Sequence, residues 1–221
     1  MVAQTRFTKS IGKNVAIALT VIAGIVWILP ILWMVSTSFK PESMVMQAVP
    51  RWIPEVFTFE NYAGVLERAS LFRWLINSTV VACAATAGVL LIDAMAAYAF
   101  ARIDFPGRDL IFILVIATMM VPAQVTMIPL FFMLNELSLL NTYLALVLPR
   151  LGLAIGVFML RQFFLGVPMD LEEAALIDGC SRYRIFFQIV LPLAKPSLSA
   201  LGILTFVWAW NDFMWPLIAI S

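Results

Sequence analysis

Three charged residues, Asp93, Arg150 and Asp212, lie inside long apolar runs of the sequence. A charge at the centre of a lipid-embedded helix costs about 2.5–3.5 kcal/mol on insertion scales, so such residues face protein or water. Arg150 follows the start of its apolar run by eight residues, and Asp212 precedes the end of its run by eight. At 1.5 Å per residue, both lie about 12 Å below the same surface. We predict that they pair and hold two helices in register.

Asp93 lies at a different depth and has no evident partner in the sequence. Two interpretations stay open for its carboxyl: a proton relay, or a structural group satisfied by neighbouring helices. Catalysis has little support elsewhere, because the chain has no histidine, no nucleophile beside an activating base and no convergent metal ligands. Its two cysteines, Cys83 and Cys180, do not suggest a disulfide framework. We expect no enzyme activity, and no metal or cofactor bound by this chain.

The polar segment, residues 172–192, separates two strongly apolar stretches. Pro168, followed by Asp170 and by Glu173 three residues later, predicts a helix start with a capping-box-like pattern. Gly179 predicts a left-handed stop, and Ser181 is placed to cap a second helix that ends or bends at two prolines. The sequence therefore predicts a helix, a glycine turn and a second helix.

Two interpretations of the polar segment are open. An amphipathic segment of this kind can lie flat on a membrane surface. Ala174 and Ala175 at its tip argue against lipid burial, which favours large side chains, and small residues suit a helix pressed into a groove of another protein.

These residues must be positioned by membrane-spanning helices. The chain is 63% hydrophobic and 12% charged, which is typical of a polytopic membrane protein. Since a span needs about 20 apolar residues, we predict an all-α polytopic fold in a single transmembrane domain over residues 1–221. The predicted spans are residues 15–39, 75–101, 110–134, 142–161 and 197–220, with an outer loop at 40–74 and a cytoplasmic loop at 162–196.

Prolines interrupt the predicted spans, which suits either a translocation pathway or ordinary kinked packing. They are Pro30, Pro122, Pro129, Pro149 and Pro216.

The distribution of basic residues predicts the orientation. Nine of the fourteen Lys and Arg residues fall on one side if the N-terminus is cytoplasmic: Arg6, Lys9, Lys13, Arg102, Arg108, Arg161, Arg182, Arg184 and Lys195. The positive-inside rule then favours a cytoplasmic N-terminus and places the polar segment in the cytoplasm. A net charge of +1 without a basic patch gives no reason to expect nucleic-acid binding.

The polar segment also carries a longer motif. Glu173-Ala174-Ala175, Gly179 and the run from Ile189 to Pro192 fit every fixed position of EAA-x3-G-x9-I-x-L-P. This motif resembles that of ABC importer permeases. Further similarity to the carbohydrate permeases, maltose-type smaller subunit, lies in residues 57–62, 77–78, 97–102 and 208–216, so the resemblance covers nearly the whole chain.

The resemblance implies a coupling loop that docks in a cleft of a cytoplasmic ATPase subunit. Its docking core would be Glu173, Ala174, Ala175 and Gly179, flanked by Glu172, Leu176, Ile177 and Asp178. Glu173 can either cap its own helix or pair with a basic residue of the ATPase. The family's carbohydrate members have six spans, whereas five are visible here, so we expect an incomplete chain or fragment.

The implied partners are a second permease subunit, an ATPase dimer that binds ATP and Mg, an extracytoplasmic solute-binding protein and membrane lipid. The implied location is the bacterial or archaeal cell membrane, which is the inner membrane where the cell has two, with half of the translocation pathway formed by this chain. Asn211 is the residue that we expect to line that pathway, while Trp208, Trp210 and Trp215 can stack on sugar rings, pack, or lie at the interface. The alternative function is an ion-coupled secondary transporter using Asp93; no inverted repeat supports it.

Overall fold

The structure, a computed structural model, describes residues 2–46 and 51–220, with side chains described from residue 13 onward. Pro50 and Ser221, and the side chains of Arg6 and Lys9, fall outside these ranges. Every regular element in the described residues is a helix, which confirms the all-α prediction. The chain forms two compact units, residues 1–72 and residues 73–221, and the single-domain assignment stays a prediction.

The first unit contains a long helix and two short ones: α1 (Val2–Ser38), α2 (Glu42–Val45) and α3 (Glu60–Arg68). Described residues of the predicted outer loop contact the end of α1. The Asn61 side-chain amide donates to the carbonyls of Ser38 and Lys40 at 3.0 and 2.8 Å, and the ring of Phe39 contacts that of Tyr62 at 5.4 Å between centroids.

Lys40, at the start of the predicted outer loop, is a buried charge. Its side chain is buried, donates to the Arg51 carbonyl at 2.6 Å and lies 4.2 Å above the Trp33 ring. A cation held against an aromatic face keeps part of its electrostatic stabilisation after leaving water.

The second unit is built around α4 (Leu71–Arg102), which begins at the end of the first unit and runs unbroken. The helices that follow are α5 (Arg108–Ala117), α6 (Ala123–Glu136), α7 (Tyr143–Val147), α8 (Ala154–Leu165), α9 (Asp170–Ile177), α10 (Arg182–Ile185), α11 (Leu191–Leu193), α12 (Lys195–Asn211) and α13 (Met214–Ala219). Short 3-10 turns follow α5 and α7, and a π-helical turn, Phe186–Val190, joins α10 to α11.

Within the described residues, two helical stretches are long and apolar enough to cross a membrane: Lys13–Ser38 and Leu71–Arg102. Three further pairs qualify as broken spans or re-entrant loops, bent by 103° between α5 and α6, by 46° between α7 and α8, and by 78° before α12. Counting each pair as one span gives five, the predicted number, but the last pair covers residues 182–211 rather than the predicted 197–220.

The breaks have local causes. Pro122 and Pro149 lie at the first two bends. Proline has no backbone N–H and a fixed φ, so it interrupts the hydrogen bonds of a helix. Gly152, at φ +76°, supplies the left-handed residue between α7 and α8. The predicted last span, residues 197–220, ends at Asn211 and restarts as α13, just before Pro216. Pro30 and Pro129 lie inside helices without breaking them.

The core of the second unit lies where α4, α8, the π-helical turn and α12 meet. Its fully buried apolar side chains include Val89, Leu160, Phe164, Val190 and Leu201. This packing fixes the α9–α10 pair against the end of α4.

Candidate functional site: the polar segment and the intramembrane charges

The first helix of the polar segment begins as α9 at Asp170. The residue before it, Met169, occupies the N-cap position and its carbonyl accepts from the N–H groups of Glu172 and Glu173 at 2.9 and 3.1 Å. No side chain caps the helix, so the predicted capping box of Asp170 and Glu173 is wrong. The turn closes one residue earlier than predicted, which places three acidic residues in the first turn, where the helix dipole favours them.

The end of α9 is as predicted. Gly179 has φ +80°, its N–H donates to the Leu176 carbonyl at 3.0 Å, and the Cys180 N–H donates to the Ala175 carbonyl at 2.9 Å. These are the two hydrogen bonds of a Schellman motif, which satisfies carbonyls at the helix end. The Ser181 hydroxyl then accepts from the Arg184 N–H at 3.4 Å, confirming the predicted second cap.

The second helix differs from an ordinary α-helix. It passes through the π-helical turn, Phe186–Val190, before Pro192, and the chain then bends by 78° into α12. Because Pro192 has no N–H to donate to the preceding turn, a local change of helical register accommodates it. The predicted bend at the prolines is confirmed.

The two faces of α9 have different environments. Glu172 and Ala175 are buried, with 2% and 6% of their surfaces exposed. Glu173, Ala174, Leu176, Ile177, Asp178 and Gly179 are exposed. Ala175, expected in the docking core, and Glu172, expected at its flank, both pack into the chain's own core in this structure, and their assignment to the docking site stays a prediction.

Glu172 is held by two residues from the end of α4. Its Oε2 accepts from the Tyr98 hydroxyl at 2.8 Å, and its Oε1 lies 2.9 Å from Nε of Arg102. The latter is an ion pair by distance, although the N–H is not aligned for a hydrogen bond. The guanidinium also donates to the Val167 carbonyl and contacts the Met169 sulfur at 3.4 Å. We call these contacts of Glu172 with Tyr98 and Arg102 the Glu172 anchor.

The Glu172 anchor is almost completely shielded from solvent, since the Arg102 side chain is 7% exposed and that of Glu172 is 2% exposed. Removing one partner of a buried ion pair leaves an uncompensated charge and costs about 3–5 kcal/mol. Sequence reasoning missed this role for Tyr98 and Arg102. The sequence offered one signal: Arg102 is a cation at the end of a predicted span, and it is expected on the same side of the membrane as the acidic residues of the polar segment.

Glu173 differs from its neighbour. Its side chain is exposed and makes no hydrogen bond or ion pair with any residue that the structure describes. It does not cap its own helix, so the carboxylate stands next to Ala174 and Ile177 on an open surface. The Ile177 side chain beside it is 87% exposed.

The predicted pairing of Arg150 with Asp212 is confirmed. The guanidinium and the carboxylate form an ion pair in which both side chains are about one-fifth exposed. The other Asp212 oxygen accepts the Trp215 N–H at 3.4 Å. Asp212 therefore also tethers the start of α13 beyond the break, a role that the sequence did not indicate.

Reversing this pair tests how much of its contribution is electrostatic. Arg150→Asp and Asp212→Arg should each destabilise the chain by about 1.5–3 kcal/mol, the usual contribution of a hydrogen bond to a charged group. The double variant should regain part of the lost melting temperature in detergent. Full recovery is not expected, because arginine at position 212 cannot accept from the Trp215 N–H. A double variant no more stable than the worse single variant would contradict the pairing.

Asp93 lies in the core at the contact of α4 with α8. It is completely buried, and neither carboxylate oxygen has a partner in hydrogen-bond geometry among the described residues; the backbone of Leu153 interacts with it more loosely. A Cβ on Gly156 would lie 2.0 Å from Oδ2 of Asp93 and 3.1 Å from a methyl of Leu201. The carboxyl therefore occupies the space that Gly156 leaves open.

This fit predicts a rescue. Gly156→Ala should destabilise the chain by about 1–3 kcal/mol through overpacking. Adding Asp93→Ala should restore the melting temperature, because the clashing carboxyl is gone. Gly202→Ala is the matched control: its Cβ would meet the end of a leucine side chain at 3.4 Å, an ordinary contact. Equal loss for Gly156→Ala and Gly202→Ala would refute the fit.

The remaining intramembrane residues are placed differently from one another. Asn211, the predicted pathway residue, is exposed and donates to the Val207 carbonyl at 2.8 Å. Trp215 is buried and donates to the Ala145 carbonyl at 2.8 Å, so it packs. Trp208 and Trp210 are partly exposed. Within the described residues no group of three His, Cys, Asp or Glu side chains is arranged to hold a metal ion.

Comparison with known proteins gives a consistent result. Residues 93–221 match the family described as binding-protein-dependent transport system inner membrane component. An arabinooligosaccharides transport system permease protein, AraQ of Halalkalibacterium halodurans, is 39% identical over 196 residues, covering 87% of this chain and 70% of that protein. The diacetylchitobiose uptake system permease protein NgcG of Streptomyces coelicolor is 38% identical, covering 90% of this chain and 66% of that protein.

Two further similarities extend over 95% of the chain. The sn-glycerol-3-phosphate transport system permease protein UgpE of Yersinia pestis is 36% identical over 217 residues, and the match covers 77% of that protein. A crystal structure of a bacterial ABC transporter involved in the import of the acidic polysaccharide alginate contains a similar chain. It matches this chain with a TM-score of 0.77 and 26% sequence identity, and the match covers 75% of that chain.

These similarities do not support the alternative of an ion-coupled secondary transporter working through Asp93, and the burial of Asp93 against Gly156 gives that residue a packing role instead. The chain belongs to the family of binding-protein-dependent transport system inner membrane components, the membrane-spanning permeases of ABC importers.

Proposed function

We propose that this permease imports a carbohydrate, forming half of a translocation pathway with a second permease subunit. The support is that three of the four similar proteins described above are named for saccharides (arabinooligosaccharides, diacetylchitobiose and alginate), while the fourth is named for sn-glycerol-3-phosphate. The proposed assembly includes an extracytoplasmic solute-binding protein that delivers the sugar. It also includes an ATPase dimer on the cytoplasmic side. The permease subunits lie in the inner membrane of a bacterium or archaeon, and the N-terminus of this chain lies in the cytoplasm.

ATP and Mg belong, in this proposal, to the ATPase chains. The sequence has no G-x4-G-K-[ST] phosphate loop, and the resemblance of its polar segment to a docking element implies a separate source of energy. This chain binds no cofactor of its own in the proposed assembly.

The single observation that carries the docking role is the division of α9 into an anchored face and an open face. The open face presents an unpaired carboxylate, Glu173, beside Ala174 and the exposed Ile177. Small and apolar residues let a groove approach closely, and an unpaired carboxylate suits a basic residue at its edge. We therefore assign Glu173, Ala174, Leu176, Ile177, Asp178 and Gly179 to the ATPase contact.

The anchored face explains how movement would be transmitted. Glu172 ties α9 to Tyr98 and Arg102 at the end of α4, so a displacement of α9 pulls on a helix that crosses the whole unit. Ala175 packs into the same core and prevents α9 from sliding independently. Glu172 is thus a positioning residue, whereas Glu173 is a contact residue.

The test is transport in membrane vesicles that contain the chain with the ATPase, second permease and binding protein that co-purify with it. We expect uptake of an oligosaccharide that requires ATP and survives a protonophore. Uptake that collapses with the ion gradient, or an assembly that carries no saccharide among arabinotriose, diacetylchitobiose and maltotriose, would contradict the proposal.

A further inference from the structure

A cleft of about 660 Å³ opens in the second unit beside the start of α4, the start of α7 and the break between α12 and α13. Its lining includes Trp74, Asn77, Ser78, Tyr143 and Trp210. Ligand sites commonly have volumes of about 300–1,000 Å³ and combine apolar walls with a few polar groups. The size and lining of this cleft therefore fit a small organic ligand.

The position of the cleft relates it to the polar segment. Trp74 and Tyr98 lie on the same unbroken helix, about 36 Å apart along its axis at 1.5 Å per residue. The hydrocarbon core of a bilayer is about 30 Å thick. The cleft and the Glu172 anchor therefore lie at opposite ends of one spanning helix, and the cleft is on the side at which a solute would be delivered.

The polar groups of the cleft are mostly hydrogen-bond donors. Oδ1 of Asn77 accepts from the Tyr143 hydroxyl at 2.8 Å, which leaves the Asn77 NH₂ group available. The Ser78 hydroxyl has no partner among the described residues. Asp212, at the edge of the cleft, is neutralised by Arg150, whereas Arg73 has no carboxylate partner in the described part of the chain. Such a lining favours a ligand rich in acceptors.

Two indole rings provide flat apolar surfaces. Trp74 and Trp210 are 56% and 39% exposed. The Trp210 ring stacks on Phe206 with centroids 5.7 Å apart and planes at 21°, which fixes its orientation. An aromatic face with hydrogen-bonding groups beside it matches a sugar ring, whose C–H face is apolar and whose hydroxyl groups accept and donate hydrogen bonds.

We propose that this cleft is a subsite for one glycosyl unit of the transported carbohydrate, with Trp210 under the ring and Asn77 and Ser78 at its hydroxyl groups. The inference rests on the proposed function. It adds that this chain itself contacts the sugar, on the side of the membrane opposite the ATPase.

The first measurement is thiol protection in the full importer, with Cys83 and Cys180 replaced by serine. Ser78→Cys should react with a membrane-impermeant methanethiosulfonate, and a sugar that the importer takes up should slow the reaction severalfold. The sugars are arabinotriose, diacetylchitobiose and maltotriose. Thr79→Cys, on the next residue of the same helix and outside the cleft lining, should show no protection.

The second measurement is the KM for uptake. Trp210→Ala should raise KM severalfold, whereas Trp208→Ala, a partly exposed tryptophan outside the cleft lining, should leave it unchanged. Uptake with equal KM for both variants, or with no difference in protection between positions 78 and 79, overturns the subsite and leaves the importer function standing. A wild-type importer that carries none of the three sugars overturns both.

Discussion

Glu172→Ala should abolish ATP-driven uptake and lower the melting temperature of the purified permease. The substitution leaves the Arg102 guanidinium buried beside the Tyr98 hydroxyl without its counter-charge. An unpaired buried charge costs about 3–5 kcal/mol, a large share of the 5–15 kcal/mol that stabilises a typical domain. Thermal unfolding in detergent and vesicle uptake measure the two effects.

Glu173→Ala is the matched control, since it removes the same side chain one residue away. Because Glu173 is exposed and unpaired in the described structure, its loss should change the free energy of unfolding by no more than about 0.5 kcal/mol. Uptake should still fall, because the proposed contact with the ATPase is lost. Equal destabilisation by the two substitutions would contradict the division of α9 into an anchored and an open face.

A double substitution separates stability from coupling. Arg102→Met with Glu172→Met replaces the buried ion pair by apolar side chains, which often maintains or improves stability. We expect the melting temperature to recover while uptake stays low, because the directional tie between α9 and α4 is gone. Recovery of uptake together with stability would show that the anchor only stabilises the fold.

Gly179→Val should uncouple the ATPase while leaving membrane insertion intact. The φ of +80° at Gly179 costs a residue with a side chain about 1–2 kcal/mol, and a β-branched residue more. A loss of 1–2 kcal/mol reduces the ratio of the native turn to its non-native alternatives by about 5- to 30-fold. The added side chain would also stand on the open face, since nothing in the described chain lies within 4 Å of that Cβ. ATPase retained on purification and sugar uptake are the measurements.

Gly152→Val controls for strain alone. Gly152 has φ +76° and equally open surroundings, but it lies between α7 and α8, away from the polar segment. Both variants should lose similar stability, and only Gly179→Val should lose the ATPase. Gly179→Asn should be mild, because asparagine tolerates the left-handed region. Full ATPase retention and uptake by Gly179→Val would refute the assignment of Gly179 to the contact.

Local features of the polar segment were predictable from sequence because their causes are local. A glycine after an apolar helical stretch predicts a left-handed stop, and a serine before a second helix predicts a cap; both are present at Gly179 and Ser181. The Arg150–Asp212 pair was also predictable, because two opposite charges at the same depth of a membrane are expected to pair with each other.

The inward face of α9 was not predictable. Glu172 and Glu173 are identical and adjacent, and an eight-residue helix with acidic residues and alanines has no strong apolar stripe to show which side is buried. The choice is made by Tyr98 and Arg102, more than 65 residues earlier in the chain, so it depends on tertiary contacts. The breaks within the later spans are local, at Pro122, at Pro149 and at the Asp212 contact with Trp215 three residues later, but a hydropathy profile does not contain them.

The most direct test of the docking account is a photocrosslink from the open face of α9. With p-benzoylphenylalanine in place of Ile177, which is 87% exposed, irradiation of the assembled importer should give an adduct with the ATPase subunit. The same probe in place of Ile203, a 66% exposed isoleucine of α12, should give no ATPase adduct. An importer that still transports but gives no ATPase adduct at position 177, or gives equal adducts at both positions, would contradict the account.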